Sequence, residues 1–449
     1  MKTIHAVIRN RWPLKQTQRL LVLLLAVTLV GTITGPSSVA ARSTGTPSAA
    51  VLQTTTVPAL TGTFQLFSNG PSLLISPRVD CNRASYTGWD SIHYFDFATN
   101  TDHAVPAGPR SEILSDVAGS QIAFTMLLGF EDDRHVNIYD TISQTYTFTG
   151  DLGTSNPSLG GTLMAFENVI YRQISIYDQS TGTVTQLTND ALLNRNARVS
   201  PTGNAVVWEK CQPDGTGCAI YSAVQTSPGT FQTTLLSGGG ENRRPATNGT
   251  LAVYVSDKSG ENDIYYQPVG GGAETHLSIP GDQRHVSISG DLIAFESTVS
   301  TGGYDVFVYD IRTGTLYQVT NTPLVDETFS EISVCDGIGR IVYAVPTGGV
   351  SADLYAFTFQ VPGSTVDQIG DLVALVNSFN LSNGAGTSLV AKLQSALAAI
   401  NASDTATACD SLTAFVNETQ AQSGKKLSTD QASQLINSAN QIKAGLGCQ

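Results

Sequence analysis

From Ala84 to Gln360 the chain alternates apolar and polar positions in short bursts, and the bursts come in pairs. The first members read "ASYTG", "IAFTM", "LMAFEN", "AVVWEK", "LAVYVS", "LIAFES" and "RIVYAV". The second members, each after a turn, read "IHYFDFATNT", "VNIYDTISQT", "ISIYDQSTGT", "AIYSAV", "DIYYQPVGGG", "VFVYDIRTGT" and "DLYAFTFQ". A period of two along each burst marks half-buried strands. Seven such pairs recur every 40 or so residues, the period of a four-stranded propeller blade, so the pattern predicts an all-β seven-bladed β-propeller.

Most repeats then add an outer strand, such as "TVTQLTN" or "TLYQVTN". The seventh does not, because after "DLYAFTFQ" the chain meets Pro362 and its apolar period becomes helical. That would leave the last blade with an open edge, ready to pair with another chain. Far upstream, "TFQLFSN" at residues 63–69 carries the same alternation and the same closing Ser/Thr-Asn. The expectation is a ring closed by its N-terminal strand, first element to last. Cys81 and Cys335 both fall in the turn between the first two strands of their blades, one and seven, which closure makes neighbours, so a disulfide is expected to lock the seam. Cys211 and Cys218 flank a hairpin tip, "QPDGTG", and are expected to pair locally. No histidine lies near these cysteines at ligand spacing, which argues against a zinc site.

Beyond Thr365 apolar residues recur at helical spacing in four groups: Ile369, Leu372, Val373 and Val376; Leu389, Leu393, Ala396, Leu397 and Ile400; Leu412, Phe415 and Val416; Ala432, Leu435, Ile436, Ala439 and Ile442. They predict a small all-α bundle. Ser428 with Gln431 reads as a capping box, and Cys409 with Cys448 as a tie from the third helix to the C-terminus.

The N-terminus changes the picture of where the chain works. Basic residues, the apolar run "LLVLLLAVTLVGTI" and the small residues Val39-Ala40-Ala41 describe a secretory signal peptide over residues 1–41. The run is too short for a bilayer span, so no membrane span is expected after signal removal. Residues 42–56 form a Ser/Thr/Pro-rich linker, residues 57–361 the propeller and residues 362–449 a four-helix module. Six cysteines fit an oxidising, periplasmic or extracellular location. Loss of five basic residues with the signal moves the formal charge from -13 to about -18, which argues against nucleic acid as a partner.

The phrases "VSPTGNAVVWEK" and "SDKSGENDIYYQPVGGGAETHLS" resemble the TolB-like, PD40-type propeller family, although the usual Ser-Pro-Asp-Gly turn is altered at Ser200-Pro201-Thr202-Gly203. "DLVALVNSFN", "LVAKLQSALAAI" and "FVNETQAQSGKKLSTDQASQLI" resemble the FIMAH-type helical module of exported bacterial proteins. The first resemblance implies a binding or scaffolding propeller, and the second a role in interaction or attachment.

Candidate chemistry is sparse. There is no nucleophile elbow, zinc-protease helix, P-loop or dinucleotide fingerprint, so no catalytic residue, metal or cofactor is expected. Asp96, Asp140, Asp178 and Asp310 recur at the end of the same strand and read as hairpin-turn acceptors. The connections into the inner strands carry a local excess of positive charge: Arg110, Arg195, Arg198, Arg243, Arg244 and Arg284, with His285. Either these side chains pair with loop carboxylates such as Glu112, Glu241, Asp282 or Glu327, or they face an anionic ligand at the channel mouth. The expected function is an exported, non-catalytic propeller that recognises a protein or acidic glycan at the envelope or outside the cell. The alternative is an oligouronide lyase on the same scaffold, which would need a histidine-held metal from His93, His103, His135, His276 and His285.

Overall fold

The computed structural model describes residues 57–448 apart from 74–76, 89–90, 107–110, 128–132, 300–302 and positions 350, 364, 380 and 382. The signal peptide and linker, and Arg110 among the candidate arginines, therefore lie outside the described residues.

Strand pairing builds seven four-stranded antiparallel sheets. Six are meanders in which four consecutive strands pair in sequence order, beginning at Arg78, Ser111, Thr154, Leu193, Asn242 and Gln283. Blade seven takes three strands from the end of the repeat region, Thr328–Cys335, Ile338–Gly348 and Ser351–Gln360, and its outer strand, Gly62–Leu73, from the start of the chain. The stretch "TFQLFSN" is thus the closing strand of the ring, with Gly62 opposite Phe359 and Leu66 opposite Tyr355.

The register shifts between Leu66 and Ser68, where the extra residue is Phe67. This bulge drives Phe67 inward among Tyr86, Phe95 and Phe97 of blade one, at ring separations of 5.8, 5.5 and 5.7 Å. Just before the strand, Leu60 donates its N–H to Gln318 (2.8 Å) while the Gln318 N–H reaches Pro58 (2.9 Å), so the same segment also borders the outer strand of blade six. The sequence pattern gave no sign of that second attachment.

Alternate apolar positions pack blade against blade. Between blades three and four, for example, Leu163, Ala165, Ile174 and Ile176 meet Ala197, Val199, Val206 and the fully buried Trp208. At the one–seven seam, Cys81 is disulfide-bonded to Cys335 across 254 residues, Arg78 is ion-paired with Glu331, and Arg340 donates to the Cys81 carbonyl. Cys211 pairs with Cys218 at the hairpin tip of blade four. The recurring aspartates do cap their turns: Asp140 Oδ1 accepts from the N–H groups of Ile142 (3.1 Å) and Ser143 (2.7 Å), and Asp310 Oδ1 from that of Arg312 (2.9 Å).

Four helices follow: α1 (Thr365–Ser378), α2 (Asn383–Asn401), α3 (Thr405–Gln422) and α4 (Thr429–Gly445). Their apolar faces form one self-contained core around Ile369, Leu393, Leu412, Phe415 and Leu435. The capping box at α4 is formed in both directions, Gln431 N–H to Ser428 Oγ (3.1 Å) and Ser428 N–H to Gln431 Oε1 (2.9 Å), and Cys409 pairs with Cys448. Among the described residues no helix is long and apolar enough to cross a membrane.

Candidate functional site

The inner strand of each blade borders the central channel, and the candidate arginines prove to be strand residues rather than loop residues. Arg195 and Arg198 belong to Leu193–Val199, Arg243 and Arg244 to Asn242–Thr247, and Arg284 and His285 to Gln283–Ser289. What positions them is a bulge that recurs in the inner strands of blades two to seven, each time with two unpaired residues between the register positions it separates, as from Arg195 to Arg198 or Arg284 to Ser287. Each bulge holds a non-glycine residue at positive φ: Leu114, Asn156, Asn196, Arg244, His285 and Phe329, all between 49° and 58°.

Such a conformation is costly for a branched or bulky residue, so something must hold it. In blades three, four and six that something is a glutamate at one repeat position of the second strand: Glu167, Glu209 and Glu296. Each carboxylate binds the bulge side chain of its own blade, through Asn156 Nδ2 (2.6 Å), Asn196 Nδ2 (2.9 Å) and His285 Nδ1 (2.6 Å). Each also accepts a backbone N–H from the bulge of the next blade, from Asn196, Arg244 and Ser330, all at 2.7 Å. The glutamate is a latch between neighbouring blades.

Arg195 and Arg284 find their partners here, not among the loop carboxylates that sequence reasoning offered. Arg195 lies directly across the ladder from Glu209 and Arg284 from Glu296, and they pair at 2.8 and 2.9 Å. Arg284 also donates to the Glu327 backbone carbonyl (3.1 Å) and stacks on Tyr304 at 3.5 Å. Among the described candidates Arg243 keeps a loop partner, Glu241 at 3.3 Å, and the residue across from it is Val255. Asp282 instead accepts from Tyr304, and Glu327 from Thr320 and Thr322. Arg198 occupies the same register position as Arg78, Asp116, Ser158, Ala246, Ser287 and Glu331, one residue per blade around the channel. Sequence reasoning missed the glutamates and this second ring. The signal was present in "AFEN", "VWEK" and "AFES", a glutamate in an otherwise apolar strand position three times over.

The protonation of the latches depends on what stands across from them. Burial pushes Glu167 up to about 7, against the donors Asn156 and Asn196. At the same repeat position, burial alone would raise Glu296, but the adjoining His285 and Arg284 outweigh it and hold the carboxyl below its usual range. Burial likewise takes Asp116 and Glu327 up to about 7. A carboxyl whose folded pKa is raised stabilises fully below its unfolded value, and that stability is lost as pH rises through the folded value. The protein should therefore melt at a higher temperature at about pH 5.5 than at about pH 8. Calorimetry across that range checks this, and Glu167→Gln, which keeps the acceptor but cannot ionise, should flatten the slope.

The histidines are not gathered into one site. His93 binds Asp102 (2.9 Å) and His103 stacks on Tyr94 in blade one, His276 binds Asp263 (3.0 Å) in blade five, His285 lies in the channel, and His135 is buried in blade two. The two acid–cysteine clusters, Asp80 with Cys81 and Cys335 and Glu209 with Cys211 and Cys218, both spend their cysteines in disulfides.

These features define a seven-bladed propeller closed by its N-terminal strand, with a charge-latched channel. No family model matches the sequence, and no curated protein does. Among solved structures the chain is similar to prolyl endopeptidases (12% identity, TM-score 0.49), covering 64% of this chain and 47% of theirs, so it spans less than half their length. It is also similar to TolB from Acinetobacter baumannii (16% identity, TM-score 0.35, 62% of this chain and 77% of that one). A third is an oligogalacturonate lyase in complex with manganese (12% identity, TM-score 0.46, 67% and 96%). Likeness at this level concerns the fold alone.

Proposed function

We propose that the chain is an exported, non-catalytic binding or scaffolding protein, in which the propeller of residues 57–361 recognises a protein or acidic glycan at the envelope or outside the cell. The helical module of residues 362–449 then serves attachment or interaction. The observation that carries this reading is the use made of the channel carboxylates. Glu167, Glu209 and Glu296 are all engaged by inter-blade donors, which suits a rigid, shape- and charge-selective opening rather than an acid–base pair awaiting a substrate. Three disulfides accord with an oxidising compartment, and the TolB-like repeat phrases and FIMAH-like helices with an interaction role.

The test is equilibrium binding of the purified mature protein to envelope proteins and to acidic and neutral glycans, followed by analysis of the released ligand. Saturable binding that weakens with salt and returns the ligand chemically unchanged is the expected result. Cleavage of an oligouronide with formation of an unsaturated sugar end would replace this reading with the lyase.

A further inference from the structure

Blade five breaks the latch pattern, and the break leaves a cation without a counter-charge. Its bulge residue is Arg244, and the repeat position that holds glutamate in blades three, four and six is Val255. The Arg244 backbone N–H is taken by Glu209 of blade four (2.7 Å), but its guanidinium makes no hydrogen bond or ion pair with the described residues. That side chain keeps substantial solvent-accessible surface, yet it feels the charges of Glu209 in blade four, Glu296 and Arg284 in blade six and Arg78 in blade one.

Its neighbours are unequal to it. Arg284 and Arg78 are each engaged by their own glutamate, Glu296 and Glu331, and Glu209 by Arg195. A guanidinium that no carboxylate touches keeps its planar pair of donors for an incoming anion. We infer that Arg244 is the anion-recognition residue of the channel, taking one carboxylate group from a ligand narrow enough to enter it. This deepens the binding-module reading and rests on it. The planar fork of the guanidinium favours bidentate carboxylate contact, and displacement of channel water leaves the pair in a low-dielectric setting. The acidic exterior repels the anion elsewhere on the surface.

Calorimetric titration of the mature full-length protein at low salt tests this, with trimannuronate and triglutamate as carboxylate probes and mannotriose and triglutamine as neutral counterparts. At least one acidic probe should bind, and neither neutral one. Binding of the sugar acid alone, the peptide alone, or both would identify the source of the carboxylate, and each supports the assignment. Arg244→Gln should weaken binding at least about tenfold while moving the melting temperature by no more than roughly 2–4 °C, and Arg244→Lys should retain part of the affinity. Val255→Glu, which supplies the missing carboxylate, should quench binding with Arg244 intact. The inference is overturned if neither acidic probe binds, if Arg244→Gln binds like the wild type, or if that variant loses its cooperative melt. Capture of a partner that competes with no carboxylate would leave the binding-module reading standing while removing Arg244 from it.

Discussion

Deletion of residues 57–73 should cost the protein most of its stability and leave it prone to self-association. The deleted segment supplies the entire outer strand of blade seven, paired along Ser351–Gln360 from Phe359 to Ser351. Without it that strand presents a long unpaired edge flanked by apolar side chains, a template for a second copy. The buried side chains Leu60 and Phe67 are lost as well, at about 1.5–3 kcal/mol each. With Phe67 goes the aromatic cluster that joins blade seven to blade one. Differential scanning calorimetry and size-exclusion chromatography on the deletion should show a lowered, less cooperative transition and higher oligomers. Deletion of residues 42–56 alone is the control and should leave both unchanged. If the two deletions melt alike, closure owes little to the strand, and the disulfide and the Arg78–Glu331 pair hold the seam by themselves.

The second large effect is expected at Glu296. This carboxylate is fully buried and serves three donors: Arg284 Nε (2.9 Å), His285 Nδ1 (2.6 Å) and the Ser330 N–H (2.7 Å). Removing one member of a buried ionic set leaves the others uncompensated, which typically costs about 3–5 kcal/mol. Glu296→Ala should therefore fall at the upper end of that range in denaturant unfolding. Glu296→Gln keeps an acceptor for Ser330 and should cost visibly less. A mild effect of alanine would mean that water enters the six–seven seam and takes over the latch. The comparison with Glu167→Ala is informative, because Glu167 faces amide donors rather than an arginine and a histidine, and a smaller penalty is expected there.

The blades were legible because a half-buried strand imposes a period of two that survives any loop, and the closing strand because an outer strand of this family of repeats ends in Ser/Thr-Asn. The disulfides followed from placing Cys81 and Cys335 in turns that closure brings together. The site was legible only by residue type. Arg195, Arg244, Arg284 and His285 stood out as positive charge on an acidic chain, but their partners could not be read, because a bulge depends on a neighbouring blade. Nothing local to "NRNAR" or "NRRPA" calls for positive φ at Asn196 or Arg244; the conformation is stabilised by Glu167 and Glu209, about 30 residues upstream. For the same reason Val255 looked like an ordinary strand valine, and its meaning comes only from the glutamates that occupy the same place in other blades.

A ring shut by pairing its first strand with its last also sets a schedule. Gly62 meets Phe359, so the strand synthesised first acquires its partner only when almost the whole propeller has been made. Contacts of such sequence separation form slowly, and no blade can shorten the wait. Throughout that interval Phe64, Leu66 and Phe67 belong to an extended, apolar, unpaired segment, the kind most readily captured by another nascent chain. The hazard lies in the order of events rather than in the finished fold.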